Sequence, residues 1–355
     1  MCFLASNRKH SQVMKKTVLL VPSALALALS LPVQGHKTYQ RTNETPDSLV
    51  VDTAGDTEYT EDDDWAGTSD DDTATPADTT TDPEDFCTPN DELISDFDTE
   101  NADYNLQNSK DANAGISFAA TLFTPSKEKH GELKKTSGYT MMASRILSSM
   151  VDSAAASKWK TEPISKMLEN KWKSVKNEYT AEQAEMEKLN GEDFHPMSYS
   201  YRTSITPAWQ WADKHVTTYA IEDEAYTGGA HGMLYRYYLS LDEKGDSLMG
   251  LTDIFKEEAL PEVFKLVGEK LRTGPQAAND EETWPSVAEV IPTPNVNDYS
   301  VRSGQMQQYK GKWYPRPALT ECGIVFVYPP YVKNCYAAGT INILINYVEA
   351  KDWLK

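Results

Sequence analysis

Between Ser137 and Asn190 the apolar positions recur at helical spacing. Met142, Ile146, Met150 and Ser153 fall on one stripe, and Ile164, Leu168, Trp172, Val175 and Tyr179 follow at intervals of three or four, with Pro163 placed where a first turn tolerates it. Beyond Asp193 the period shifts to two. Residues 198–206, 214–221, 233–241, 323–328 and 340–348 are alternating runs rich in Tyr, Thr and Ile, which predict strands. One helix interrupts them, its buried face marked by Leu260, Val263, Phe264, Val267 and Leu271. Helices, strands, a helix and strands again predict an α+β fold, an antiparallel sheet with helices packed on one side.

Upstream the pattern is of another kind. Residues 15–35 join a Lys15-Lys16 pair to an apolar stretch from Val18 to Val33 that ends at Gly35, the layout of a secretory signal peptide. The stretch is broken by Pro22 and Pro32 and is shorter than the roughly 20 residues a spanning helix needs. Cleavage after Gly35 and export to the periplasm or beyond the cell are therefore expected, with no stable membrane span afterwards. Residues 36–105 are dominated by Asp, Glu, Thr, Pro and Ala. Residues 51–100 hold 19 acids and no Lys or Arg, which accounts for nearly all of the net charge of −20. Such a segment buries too little apolar surface to offset its ordering entropy, so a disordered acidic linker is expected there. The expected organisation is signal peptide 1–35, linker 36–105, helical region 106–198 and α+β domain 199–355. Without a large basic patch, a nucleic-acid partner is not expected.

Residue constellations for catalysis were sought one by one. Gly-x-Ser-x-Gly and His-Glu-x-x-His do not occur, and no two histidines stand four apart after residue 35. Ser126 and Ser157 each open a Ser-x-x-Lys match, but the Ser-Asp-Asn and Lys-Thr-Gly partners are missing. No catalytic residue, metal ligand or cofactor is therefore assigned from sequence. One cluster stands out, Tyr226-Thr227-Gly228-Gly229-Ala230-His231-Gly232 between two predicted strands. Three glycines in five positions allow positive φ and close backbone approach. That suits a loop whose amides, with His231, meet a ligand. It equally suits a tight crossing of strands that excludes larger side chains. Tyr235, Tyr237, Tyr238, Tyr328 and Tyr331 could form a stacking face for sugars, or simply be strand residues. Cys322 and Cys335 flank a predicted strand and the loop after it, and are the expected partners if an oxidised chain forms one bridge; spacing does not show whether their Cα atoms approach closely enough.

The Gly-rich cluster, the aromatic strand Tyr235-Arg236-Tyr237-Tyr238, Gly250-Leu251-Thr252-Asp253-Ile254-Phe255, Gly323-Ile324-Val325-Phe326-Val327-Tyr328-Pro329-Pro330-Tyr331 and Tyr336-Ala337-Ala338-Gly339 occur in that order. Together they resemble the RsiV-like extracytoplasmic domain, domain-of-unknown-function family 3298. The resemblance covers about residues 199–354, and residues 111–198 are similar in position to the helical companion domain found before it. What it implies is binding rather than catalysis: the anti-sigma-factor members capture lysozyme, so a lysozyme-type protein or a peptidoglycan fragment is the implied partner of an exported cell-envelope module. On the ligand-loop reading of the residues, Tyr226, Gly228, Gly229, His231, Gly232 and Tyr331 are the candidate ligand-binding residues. Two departures stand out, Val332 where the family carries an acid and a Pro/Asn/Gly-rich stretch at 288–317 that reads as an inserted loop. Two other readings remain, an envelope hydrolase using His231 and a purely structural surface protein.

Overall fold

A computed structural model describes residues 91–134, 137–151, 159–211, 215–244, 246–274, 287–290, 293–333 and 339–355. The expected signal peptide, most of the acidic segment and Cys335 lie outside the described residues. The largest sheet has six strands in sequence order: β1 (Phe97–Gln107), β2 (Gly115–Pro125), β3 (Tyr199–Trp211), β4 (Val216–Tyr226), β5 (Met233–Asp242) and β6 (Ser247–Leu248). Every neighbouring pair is antiparallel except β2 and β3, which run parallel from Ile116↔Tyr199 to Leu122↔Ile205. A parallel pair needs a long crossover. Here its long helices among the described residues are α1 (Gly138–Ser148) and α2 (Ile164–Asn190).

Local chemistry sets the ends of these helices. The Ser137 hydroxyl accepts the Thr140 amide at 3.2 Å and caps α1. Gly191, at φ 58°, closes α2 by donating its amide to Glu187. Ile164, Leu168, Val175 and Tyr179 are buried as the spacing predicts, while Trp172 is half-buried and stacks on Tyr104 of β1 at 5.5 Å. Against α1 and α2 lie Ile116, Phe118 and Leu122 of β2, Tyr219 and Ile221 of β4, and Leu239 of β5, forming the first core.

The second core is built on a three-stranded sheet in which β10 (Gly323–Tyr328) lies between β9 (Ala318–Leu319) and β11 (Ile341–Asn346). Helix α3 (Leu260–Thr273) lays Leu260, Val263, Val267 and Leu271 on it, beside Phe255 and Phe326. All six residues of β10 are buried. Its pleat explains this: Ile324, Phe326 and Tyr328 enter the second core, and Val325 and Val327 enter the first. One strand thus joins both cores.

Four expectations need correction. The acidic linker, expected through Asn105, gives way to β1 at Phe97, because Ala102 and Tyr104 alternate inward behind a polar outer row. The region 106–198 is not helical throughout: β2 lies within it and pairs with β3 across the expected 198/199 boundary. The stretch 288–317 is not a loose insertion. It holds the hairpin of β7 (Met306–Tyr309) and β8 (Lys312–Pro315), with Met306 and Tyr314 in the second core. Lys310 and Gly311 both have positive φ (46° and 80°), as a two-residue type I′ turn requires. The last predicted strand stops at Asn346, whose side chain accepts the Glu349 amide at 2.9 Å while Glu349 accepts the Asn346 amide at 3.0 Å. This reciprocal cap starts a helical turn, Tyr347–Ala350.

Candidate functional site

The Gly-rich cluster forms the loop between β4 and β5, closing above the pair Ala225↔Met233. Gly228 and Gly229 have φ of 89° and 90°, so here the glycines supply a backbone other residues resist. The Tyr226 hydroxyl donates to the Gly229 carbonyl at 3.2 Å, and the exposed His231 places Nδ1 2.9 Å from the Gly232 carbonyl. A methyl group on Gly232 would lie 2.9 Å from the Ala225 carbonyl oxygen, so close backbone packing fixes that glycine. Tyr331 lies in the turn after β10, at φ 65° and 57% exposed. Of the two readings of the tyrosines, the structure favours strand residues over a shared stacking face. Tyr237 and Tyr328 are core residues, and Tyr235 stacks on Tyr299 with ring centroids 3.8 Å apart. Cys322 is exposed just before β10, and its expected partner Cys335 is outside the described residues.

A cleft of about 280 Å³ opens where the ends of β3, β4 and β5 meet the second core. Trp211, Val216 and Leu319 give it apolar walls, and Asp242, Lys244 and Asp253 bring charge to it. Trp211 is half-buried and held in an aromatic row, 5.0 Å from Trp209 and 5.7 Å from Tyr347 between ring centroids. The Tyr347 hydroxyl donates to the Thr320 carbonyl at 2.7 Å, anchoring the row to the small sheet. Asp253 is also fixed, its Oδ2 accepting the Gly250 amide at 2.8 Å. Asp242 accepts the Lys244 amide at 2.9 Å, which shapes the turn after β5. An aromatic wall of fixed orientation beside charged groups can take a ligand with an apolar face and a polar edge. Sequence reasoning did not reach this site. The signal available was the pair Trp209 and Trp211, two positions apart at a strand end, but their partners come from segments remote in sequence.

A second polar cluster is sealed inside the first core. Lys171 of α2 and Asp223 of β4 are both fully buried, with Nζ 3.4 Å from Oδ1. The Thr203 hydroxyl donates to the same oxygen at 2.7 Å and accepts from Lys171 at 3.1 Å. Lys171 also lies over the Phe118 ring, 5.7 Å from its centroid. Burial pushes the Asp223 carboxyl above its ordinary range, against the opposing effects of Lys171, Thr203 and the nearby Tyr299 hydroxyl. Its Oδ2 makes no hydrogen bond among the described residues. With no route to solvent for either side chain, this arrangement orders the core.

Among the described residues no group of three or more His, Cys, Asp or Glu is placed to hold a metal ion, and no helix is long and apolar enough to cross a membrane. No family model matches the chain, and no curated protein matches it. Several solved structures are similar to it, among them two of the DUF3298 family. One, a DUF3298 family protein from Pseudomonas aeruginosa, has a TM-score of 0.43 at 16% identity, covering 73% of this chain and 94% of its own. The other, a member of the DUF3298 family from Bacteroides fragilis, has a TM-score of 0.51 at 17% identity, covering 73% of this chain and 93% of its own. At that identity the second likeness is one of architecture, and this chain shares its fold with the Bacteroides fragilis DUF3298 protein.

Proposed function

We propose that this chain is an exported member of the DUF3298 group, a non-enzymatic binding module of the cell envelope that takes a saccharide fragment of peptidoglycan in the Trp211 cleft. The observation that carries the reading is the fixed Trp211 ring beside the charged groups of Asp242, Lys244 and Asp253 around one cavity. A pyranose presents C–H groups on its faces and hydroxyls around its edge, so it pairs with an aromatic wall and a ring of donors and acceptors. A cavity of about 280 Å³ suits one or two sugar rings better than a protein surface. The acidic N-terminal segment would also attract basic proteins such as lysozyme at low salt, an attraction that fades over a Debye length of about 8 Å at physiological ionic strength.

The test is calorimetric titration of the full chain with a soluble disaccharide-peptide from peptidoglycan, and separately with lysozyme, at two salt concentrations. Saturable saccharide binding that persists at high salt and weakens at least about tenfold in Trp211→Ala, a loss of about 1.4 kcal/mol, supports the reading. Circular dichroism of the variant controls for folding. Unchanged affinity in Trp211→Ala would sink the cleft assignment, and lysozyme binding indifferent to that substitution would move the partner to another surface.

A further inference from the structure

Two arginines from separate segments, Arg145 and Arg316, meet at Gly304. Arg316 donates from Nε to the Gly304 carbonyl at 2.8 Å and from Nη1 to the Met249 carbonyl at 3.0 Å. Arg302 donates to the Ser148 carbonyl at the end of α1, where a cation complements the helix dipole. Arg145, exposed on α1, lies against the other side of Gly304: a methyl group there would be 3.3 Å from Arg145 Nη1. Gly304 has φ 90°, a backbone that favours glycine, and the Arg145 guanidinium lies against it.

The charges are unbalanced. No ion pair or hydrogen bond engages the Arg145 guanidinium among the described residues, and the Asp253 carboxylate that acts on Arg316 offsets only one of the two positive charges. Burial, followed by repulsion from Arg145, lowers Arg316 to about 10, with Asp253 opposing. A fixed Arg316 guanidinium with the exposed Arg145 beside it leaves a place where an anion would relieve their repulsion. We infer that Arg145 and Arg316, brought together at Gly304, form a binding site for a small oxyanion, a phosphate or a carboxylate. The exposed Arg145 supplies the open fork, and Arg316, fixed by two carbonyls, supplies a pre-oriented charge. This site adjoins the Trp211 cleft through Met249 and Asp253, but its test reads Arg145, which does not line that cleft, so the two readings can fail separately.

Thermal melting of the full chain with inorganic phosphate or citrate, against sodium chloride at matched ionic strength, tests the inference. A saturable rise in Tm of about 2–4 °C specific to either anion is expected, the size that a ligand in several-fold excess over Kd produces in a domain of this length. Each variant is read against its own anion-free melt. Arg145→Gln should abolish the rise, and Arg145→Lys, which keeps charge but loses the planar fork, should reduce it. A shift in the Arg145 and Arg316 Nε–H resonances on titration would locate the anion. A response to phosphate alone or to citrate alone supports the site and assigns its ligand class. No response beyond ionic strength, or an equal response in Arg145→Gln, overturns it.

Discussion

The two cores each bury a lysine, and they satisfy it in opposite ways. In the first, Lys171 meets the carboxylate Asp223 and the Thr203 hydroxyl, all three fully buried. In the second, Lys333 donates to two backbone carbonyls, Val287 at 2.7 Å and Glu289 at 2.8 Å, with its Nζ 5.6 Å from the centre of the Tyr328 ring. The first arrangement sets charge against charge far from water and specifies how α2 seats on β3 and β4. The second fastens an irregular segment, residues 287–290, to the turn after β10. That segment is also held by the Tyr328 hydroxyl on the Ala288 carbonyl at 2.6 Å and by the Val290 amide on the Trp313 carbonyl at 2.7 Å. A buried charge pair commits the core to one registry, whereas a lysine on carbonyls can lose its proton without leaving an opposing charge stranded.

The sharpest way to break this contrast is Lys171→Met. It leaves Asp223 without its counter-charge, and the expected loss is about 3–5 kcal/mol in urea denaturation. Lys171→Met/Asp223→Leu should recover most of that loss, since apolar replacement of both partners removes the stranded charge. The pH dependence has a definite sign. Asp223 titrates above its ordinary value when folded, so between about 3.9 and that raised value the folded chain binds more protons than the unfolded one. Stability from this group is therefore present at low pH and falls as pH rises through the window. Lys171→Met removes an interaction that holds the carboxyl down, so its penalty should be smaller near pH 5 than at pH 7. A penalty below about 1 kcal/mol at pH 7 would show that the pair contributes little.

Lys333→Met should cost less, about 1–3 kcal/mol, because it strands two carbonyls and no charge. Burial lowers Lys333 to about 8, with Glu289 opposing, against 10.5 in the unfolded chain. Between those values the unfolded chain binds more protons, so stability from Lys333 rises as pH goes from about 8 toward 10, opposite in sign to Asp223. Subtracting Lys333→Met from wild type isolates this slope. A flat difference between pH 8 and 10 would mean that the lysine keeps its proton.

These features differ in how far the sequence displays them. The stripes on α2 and α3 and the run Gly323–Tyr328 are visible because one element alone carries the period. Strand β2 was equally visible in the alternation of Ile116, Phe118, Ala120 and Leu122, yet went unread beside the helical pattern that follows. Strand β1 was hidden by its outer row, where Asp98 and Asp103 prolong the acidic composition of the preceding segment. Polar residues on an edge strand discourage pairing with other chains, and that same polarity makes it read as linker. The Lys171–Asp223 pair, the Trp211 cleft and the arginines at Gly304 are each assembled from residues dozens of positions apart. Only the parallel β2–β3 crossover and the packing of two cores bring such residues together, and no local period records that.

The smallest expected effects come from the β4–β5 loop, which belongs to neither core, and here two substitutions separate backbone from side chain. Gly228→Ala forces a Cβ onto a residue at φ 89° and sets it 3.0 Å from Met197 Sδ, so about 1–2 kcal/mol should be lost, part of it relieved if the flexible methionine moves. His231→Ala removes an exposed ring and should change stability by no more than about 0.5 kcal/mol. If His231→Ala cost as much as Gly228→Ala, the imidazole would be holding the loop, and the loop would behave as an extension of the core. If only the glycine substitution registers, the loop's shape is written in its backbone and His231 is left open to solvent chemistry. Equilibrium urea melts on the two variants, read beside Lys171→Met, decide between these and place the loop at the bottom of the scale set by the two buried lysines.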